Sequence, residues 1–170
     1  MIEGLDEAAE ITVLGIGNIV LRDEGFGVRV AEYLRENYFF PDQVRILDGG
    51  TLGMELLRFV AGTRRLLILD AIRGDKAPGT VYRLEKGDVA AHFQSKLSAH
   101  EVGIQDILTL LALTGKPVPE VVVLGAEPVD LSAGLDLSAE LSPLVPDLAE
   151  RALSELKRWG IEAEPKSKER

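Results

Sequence analysis

The sequence contains no cysteine and only two histidines, His92 and His100. The first absence excludes disulfides and thiolate metal sites, so a metal held by this chain would need oxygen and imidazole ligands. No apolar run approaches the about 20 residues that a bilayer-crossing helix requires, and the charged fraction of 28% points to a soluble protein. The first ten residues, MIEGLDEAAE, lack the basic start and apolar stretch of a secretory signal, which sets the expectation of a cytoplasmic protein. Positive charge is also in deficit. A formal charge of -9 repels the phosphates that dominate nucleic-acid affinity, so neither nucleic acid nor a membrane is expected as a partner.

What is present suits one compact unit. The 170 residues, 46% of them hydrophobic, are enough for a substantial core and fit a single domain over 1–170. Its ordered part is expected at about 11–160, between an acidic extension and a charged tail, EAEPKSKER, without apolar periodicity. Ile11–Ile16 (ITVLGI) reads as a buried first strand. Asp23 is placed to cap a following helix, on which Phe26, Val30, Leu34 and Tyr38 recur at helical spacing up to Pro41. Val44–Leu47 gives a second strand, Leu52, Leu56 and Phe59 a second helix, and Leu66–Leu69 a third strand ended by Asp70.

This βαβαβ order with nearly continuous apolar strands predicts a parallel sheet covered by helices on both faces. The next connection, Ala71–Gly79, is about nine residues long, whereas a parallel crossover needs a dozen or more. The strand at Thr80–Leu84 is therefore predicted to run antiparallel at an edge. A helix capped by Ser98 carries Ile104, Ile107, Leu108 and Leu111 and stops at Gly115. Val121–Leu124 is a fifth strand, Glu127–Asp136 a loop long enough for binding, and Leu144, Leu148, Ala152 and Leu156 a last helix. There is no internal repeat.

Ligands of open α/β sheets gather beyond the carboxyl ends of the strands, where the chain order reverses. Those ends carry Glu24 after the first strand, Asp48 after the second and Asp70 after the third. With Ser98 as cap, His100 falls in the first turn of its helix, where the dipole disfavours imidazolium and leaves the neutral ring that a metal requires. Glu24, Asp70 and His100 thus make a candidate site for a divalent transition metal with open positions for water or substrate. Each residue also has a plainer reading. Glu24 can complement a helix dipole, Asp48 and Asp70 can fix turns, and His100 can bond its own helix end at the surface. His92 lies in a polar, irregular stretch and is assigned no role.

Gly15 and Gly17 after the first strand, with Asp48 at the end of the second, invite a dinucleotide reading. The third glycine position is occupied by Val20, whose side chain would crowd helix against strand, and Asp48 lies beyond the usual ~20-residue interval. No nucleotide cofactor is expected.

Four segments together resemble the nickel-iron hydrogenase maturation proteases, over Ile11 to about Gly160. They are LGIGNIVLRDEGFGVRV (Leu14–Val30), LDGGTLGMELL (Leu47–Leu57), LILDAI (Leu67–Ile72) and SAHEVG (Ser98–Gly103). The departures are Ala99, where many relatives have Pro, and Val20, often Leu. The resemblance implies a three-layer α/β/α fold with a five-stranded mixed, mostly parallel twisted sheet whose fourth strand is antiparallel. It places the family's metal-contacting trio on Glu24, Asp70 and His100, and a further acid important for activity on Asp48. It also implies an endopeptidase that removes a short C-terminal peptide from the hydrogenase large-subunit precursor after nickel insertion.

On that basis the trio is expected to meet nickel supplied by the bound substrate, with Asp48 or Glu24 as general base. Zinc or cadmium would fit the same site in the isolated protein, which is expected to be a monomer. A resident-zinc peptidase ranks second, because the helical His-Glu-x-x-His signature is missing. The rival of another class is a noncatalytic nickel-binding maturation chaperone, which would leave the precursor at full length.

Overall fold

The computed structural model describes residues 9–51, 53–94 and 103–167. Strands β1 (Ile11–Ile16), β3 (Val44–Gly50), β4 (Arg65–Ala71), β5 (Val81–Glu85) and β6 (Glu120–Ala126) form one sheet in the order β3-β1-β4-β6-β5. β1 pairs in parallel with β3 and β4, and β4 with β6. β5 runs antiparallel to β6 at the edge, as the short connection requires.

Both faces of the sheet are covered. Alternate residues of the strands, such as Val13, Leu67, Leu69, Val122 and Leu124, face α1 (Phe26–Asn37) and α5 (Leu144–Arg158), which contribute Phe26, Val30, Leu34, Leu148, Ala152 and Leu156. The intervening residues, Leu14, Leu66, Ile68 and Val123, pack on the other side against α2 (Leu57–Val60), α3 (Gly87–Gln94) and α4 (Ile104–Leu113) through Val60, Val89, Phe93, Ile107 and Leu111. Strands buried on both faces explain the unbroken apolar runs of the sequence. Thr12 is wholly buried, and its hydroxyl is satisfied by that of Thr63 at 2.8 Å. No helix among the described residues is long and apolar enough to cross a membrane.

Several local expectations are corrected. A 3-10 turn at Arg22–Gly25 precedes α1, so Asp23 does not cap it; Gly25 stands at the cap with no side-chain bond. Tyr38 has left the helix with φ -135° and ψ 148°. With Phe39 it forms β2 (Tyr38–Phe39), antiparallel to β7 (Glu164–Pro165). The charged tail is thereby tied down through 165, and the Lys166 N–H donates to Asn37 O at 2.8 Å. The second helix is a 3-10 turn at Met54–Leu56 running into the single turn of α2, and Val60 rather than Phe59 is its buried residue. The helix expected from Ser98 begins at Ile104, where Gly103 is extended and its N–H donates to Asp106 Oδ2. Ser98, His100 and Leu52 lie outside the described residues. Helix α3 occupies the polar stretch around His92 that the sequence presents as irregular.

Candidate functional site

The order of the sheet reverses between β1 and β4: from β1 the chain moves outward to β3, then returns past β1 to β4. A crevice opens at the carboxyl ends of two strands that diverge in this way. The loop leaving β1 carries Glu24, and β4 carries Asp70 next to its last residue, Ala71. Glycines bring the two together. A Cβ on Gly27 would lie 1.9 Å from Leu69 O and 2.7 Å from Asp70 N, so the start of α1 rests directly on the β4 backbone. Gly15 makes the matching approach from β1, where a Cβ would meet Gly27 O at 2.6 Å. The 3-10 turn bearing Glu24 packs against β4 as well.

The conformation of that turn is set by a distant loop. Asp23 is wholly buried and accepts three backbone hydrogen bonds. The N–H groups of Val129 and Asp130 donate to Oδ2, each at 2.9 Å, and that of Ser138 to Oδ1 at 2.8 Å. Arg22, in the left-handed region at φ 47°, donates its N–H to Gly134 O, and Gly134 N–H donates to Val20 O. The Arg22 guanidinium lies 3.6 Å from the Asp130 carboxylate. It occupies the space that a Cβ on Gly134 would fill, 2.6 Å from Arg22 Cζ. Bonds to Ser132 and the nearby Arg22 charge hold the Asp130 carboxyl below its ordinary range. Residues 18–24 and 129–138 thus form one wall beside Glu24. Strain of this kind at a non-glycine residue is tolerated where surrounding bonds over-determine the backbone, a condition common at functional sites.

The loop's other end is equally anchored. Burial would raise the Glu127 carboxyl, but the Tyr82 hydroxyl and the Gly74 N–H, at 2.7 Å, donate to it and hold it below the usual carboxylate range. Burial and the same partnership push the Tyr82 phenol up to about 12. We expect Asp23→Asn to lower stability by about 2 kcal/mol, because an amide nitrogen would face an N–H that now meets an oxygen. Thermal unfolding followed by circular dichroism should show a fall in Tm of roughly 4–8 °C for a chain of this size.

The three carboxylates noted in the sequence share a rim but not a face. Asp48 is level with Gly15, and Gly15 with Leu69. Ile46 packs with the α1 and α5 side and Leu47 with the other, so alternation sends exposed Asp48 toward the α1 side. Asp70, between Ile68 and Ile72, faces the α3 and α4 side. Glu24 is half-buried in the turn that crosses between them.

Asp70 is wholly buried. Its Oδ1 accepts the Ala71 N–H at 2.9 Å, and its Oδ2 lies 3.0 Å from His92 Nε2. His92, set aside in the sequence, is therefore a site neighbour, buried on α3 with its ring 4.8 Å from that of Phe93. The signal that would have found it is the short stripe Val89, His92, Phe93 at helical spacing. Among the described residues no group of three or more acidic or histidine side chains is gathered as a metal site. His100 is not among them.

Comparison with known proteins sets this geometry in a family. Residues 28–155 match the family model described as hydrogenase maturation protease. The chain is 41% identical over 157 residues to the hydrogenase 2 maturation protease of Escherichia coli, covering 92% of this chain and 96% of that protein. It is 38% identical over 161 residues to the hydrogenase expression/formation protein HoxM of Cupriavidus necator, covering 94% and 80%. Its fold superposes on the hydrogenase maturating endopeptidase HybD of E. coli with a TM-score of 0.87, at 41% identity and 92% and 97% coverage. The chain belongs to the hydrogenase maturation protease family.

Proposed function

We propose that this endopeptidase removes the C-terminal extension of the nickel-iron hydrogenase large-subunit precursor once nickel has been inserted, acting as a cytoplasmic monomer. The observation that carries the reading is the approach of the Glu24 turn to β4 near Asp70 at the switch point of the sheet. Two oxygen donors there, with the imidazole of His100, suit nickel or zinc, and the absence of cysteine leaves the thiolate ligands to the substrate.

In this scheme the nickel belongs to the substrate and acts as a Lewis acid on the scissile carbonyl. Glu24, Asp70 and His100 hold the metal-bearing segment so that cleavage depends on loading. Asp48 or Glu24 takes a proton from the attacking water as its oxygen bonds to the carbonyl carbon. That proton passes to the departing amine as the carbon–nitrogen bond breaks.

Incubation with nickel-loaded and nickel-free precursor, read by mass spectrometry, is the test. The loaded form should lose its C-terminal peptide and the nickel-free form should stay intact. His100→Ala should abolish cleavage with Tm nearly unchanged. Efficient cutting of the nickel-free form would refute dependence on loading, and a loaded precursor left at full length would point to a chaperone.

A further inference from the structure

An aspartate carboxylate turns easily about its terminal torsion, which has no sharp staggered wells. A bond from the following N–H fixes one oxygen of Asp70, and one such bond does not by itself set the plane of a carboxylate. The second fixed point comes from another layer of the protein. His92 on α3 lies with Nε2 3.0 Å from Asp70 Oδ2, and an ionised carboxylate as acceptor requires the proton on Nε2.

His92 stands beside an apolar cluster. Its neighbours Val89 and Phe93 belong to the buried cluster of Leu14, Ile68, Ile72 and Ile107, where a leucine or phenylalanine would pack without a polar group to satisfy. Apolar packing gives no reason for an imidazole here, and the contact with Asp70 supplies one. A carboxylate oxygen carries two lone pairs, so it can accept a hydrogen bond and also contact a metal. Partners that orient a metal-contacting carboxylate in this way typically change metal affinity or activity by roughly 10–100-fold when removed.

We propose that His92 is a positioning residue for the hydrolysis, donating from Nε2 to Asp70 Oδ2 and so presenting the Asp70 carboxylate to the metal borne by the substrate. The inference rests on the reading of Asp70 as a metal contact. It adds a residue from α3 to the proposed trio of Glu24, Asp70 and His100.

The test compares His92→Leu, His92→Gln, His92→Asn and Asp70→Asn in steady-state cleavage of the nickel-loaded precursor, well below each variant's Tm. His92→Leu should lower kcat by roughly 10–100-fold with KM little changed. His92→Gln, whose amide nitrogen reaches about as far as Nε2, should recover to within a few-fold of the parent. His92→Asn, too short to reach, should not. A purely structural histidine would move Tm and leave the kcat of folded protein alone. A folded His92→Leu with parental kcat, or Gln no better than Asn, overturns the proposal. If the leucine variant does not fold, the Gln and Asn pair decides alone. Asp70→Asn separates the layers of the argument: full activity there defeats the site reading itself, while its loss beside an active His92→Leu defeats only the role of His92.

Discussion

Glu24→Gln is expected to reduce turnover of the nickel-loaded precursor by roughly 10²–10⁴-fold, the range that a positioned acid or base contributes. The substitution keeps size and shape but removes the charge that can bind a metal or take a proton. Stability should hardly change, because the turn is fixed by the buried neighbour Asp23, by Arg22 and by the close contact of Gly17 with the Glu24 carbonyl. The parallel variant Asp48→Asn divides the labour between the two acids. Asp48 is exposed and leaves its strand toward the α1 side, while Asp70 leaves toward the α3 side across the intervening β1. Two strand spacings separate their backbones by about 10 Å. A general base at Asp48 would thus act from the opposite flank to the metal contact at Asp70. If so, Asp48→Asn lowers kcat while binding of the loaded precursor stays intact, whereas Glu24→Gln weakens both. Parental turnover by both variants would remove acid–base chemistry from this rim.

The central strands β1, β4 and β6 were legible because they are short, nearly unbroken apolar runs, the mark that burial on both faces leaves in a sequence. Their ends were not. β3 continues through Asp48-Gly49-Gly50, and β4 through Asp70 and Ala71, since ladder hydrogen bonds do not depend on side-chain polarity. The edge strand followed from loop length alone. Helix α3 escaped notice because it is only 8 residues long and opens on Gly87 and Asp88, so its buried stripe spans little more than one turn. With it went His92. The misreading of Asp23 has a different origin. Its position before an apolar-periodic segment is a correct local signal for a cap, but its carboxylate is claimed by N–H groups more than 100 residues away. No local pattern announces such a contact. The tail was read as unstructured from its charge, yet β2 and β7 pair through backbone groups that composition does not report.

Gly27→Ala is expected to be strongly destabilising. The dinucleotide pattern fails at the long interval to Asp48 and at Val20, which stands where a glycine would let helix approach strand. In this fold the 3-10 turn at Arg22–Gly25 displaces the helix start, and the glycine that permits close approach is found later, at Gly27. A Cβ there would sit 1.9 Å from Leu69 O and 2.4 Å from Leu69 C. Both belong to the backbone of a central strand bonded to β1 and β6, so the strand cannot yield. Helix α1 must withdraw instead, opening its packing at Phe26 and Val30. Overpacking commonly costs 1–3 kcal/mol, and with backbone on both sides of the clash the loss here should exceed about 3 kcal/mol. That corresponds to a fall in Tm of roughly 10 °C. The same withdrawal shifts the Glu24 turn away from Asp70, and a displacement of about 1 Å in a catalytic constellation can remove 10²-fold in rate. Activity of the folded fraction should therefore fall as well, which separates this change from simple instability. Gly87→Ala is the control: a Cβ there meets nothing within 4 Å, and Ala is the better helix former, so its Tm should hold or rise slightly. Equal, small effects at Gly27 and Gly87 would mean that α1 does not rest on the β4 backbone, and the link from sheet topology to the Glu24–Asp70 rim would fail with it.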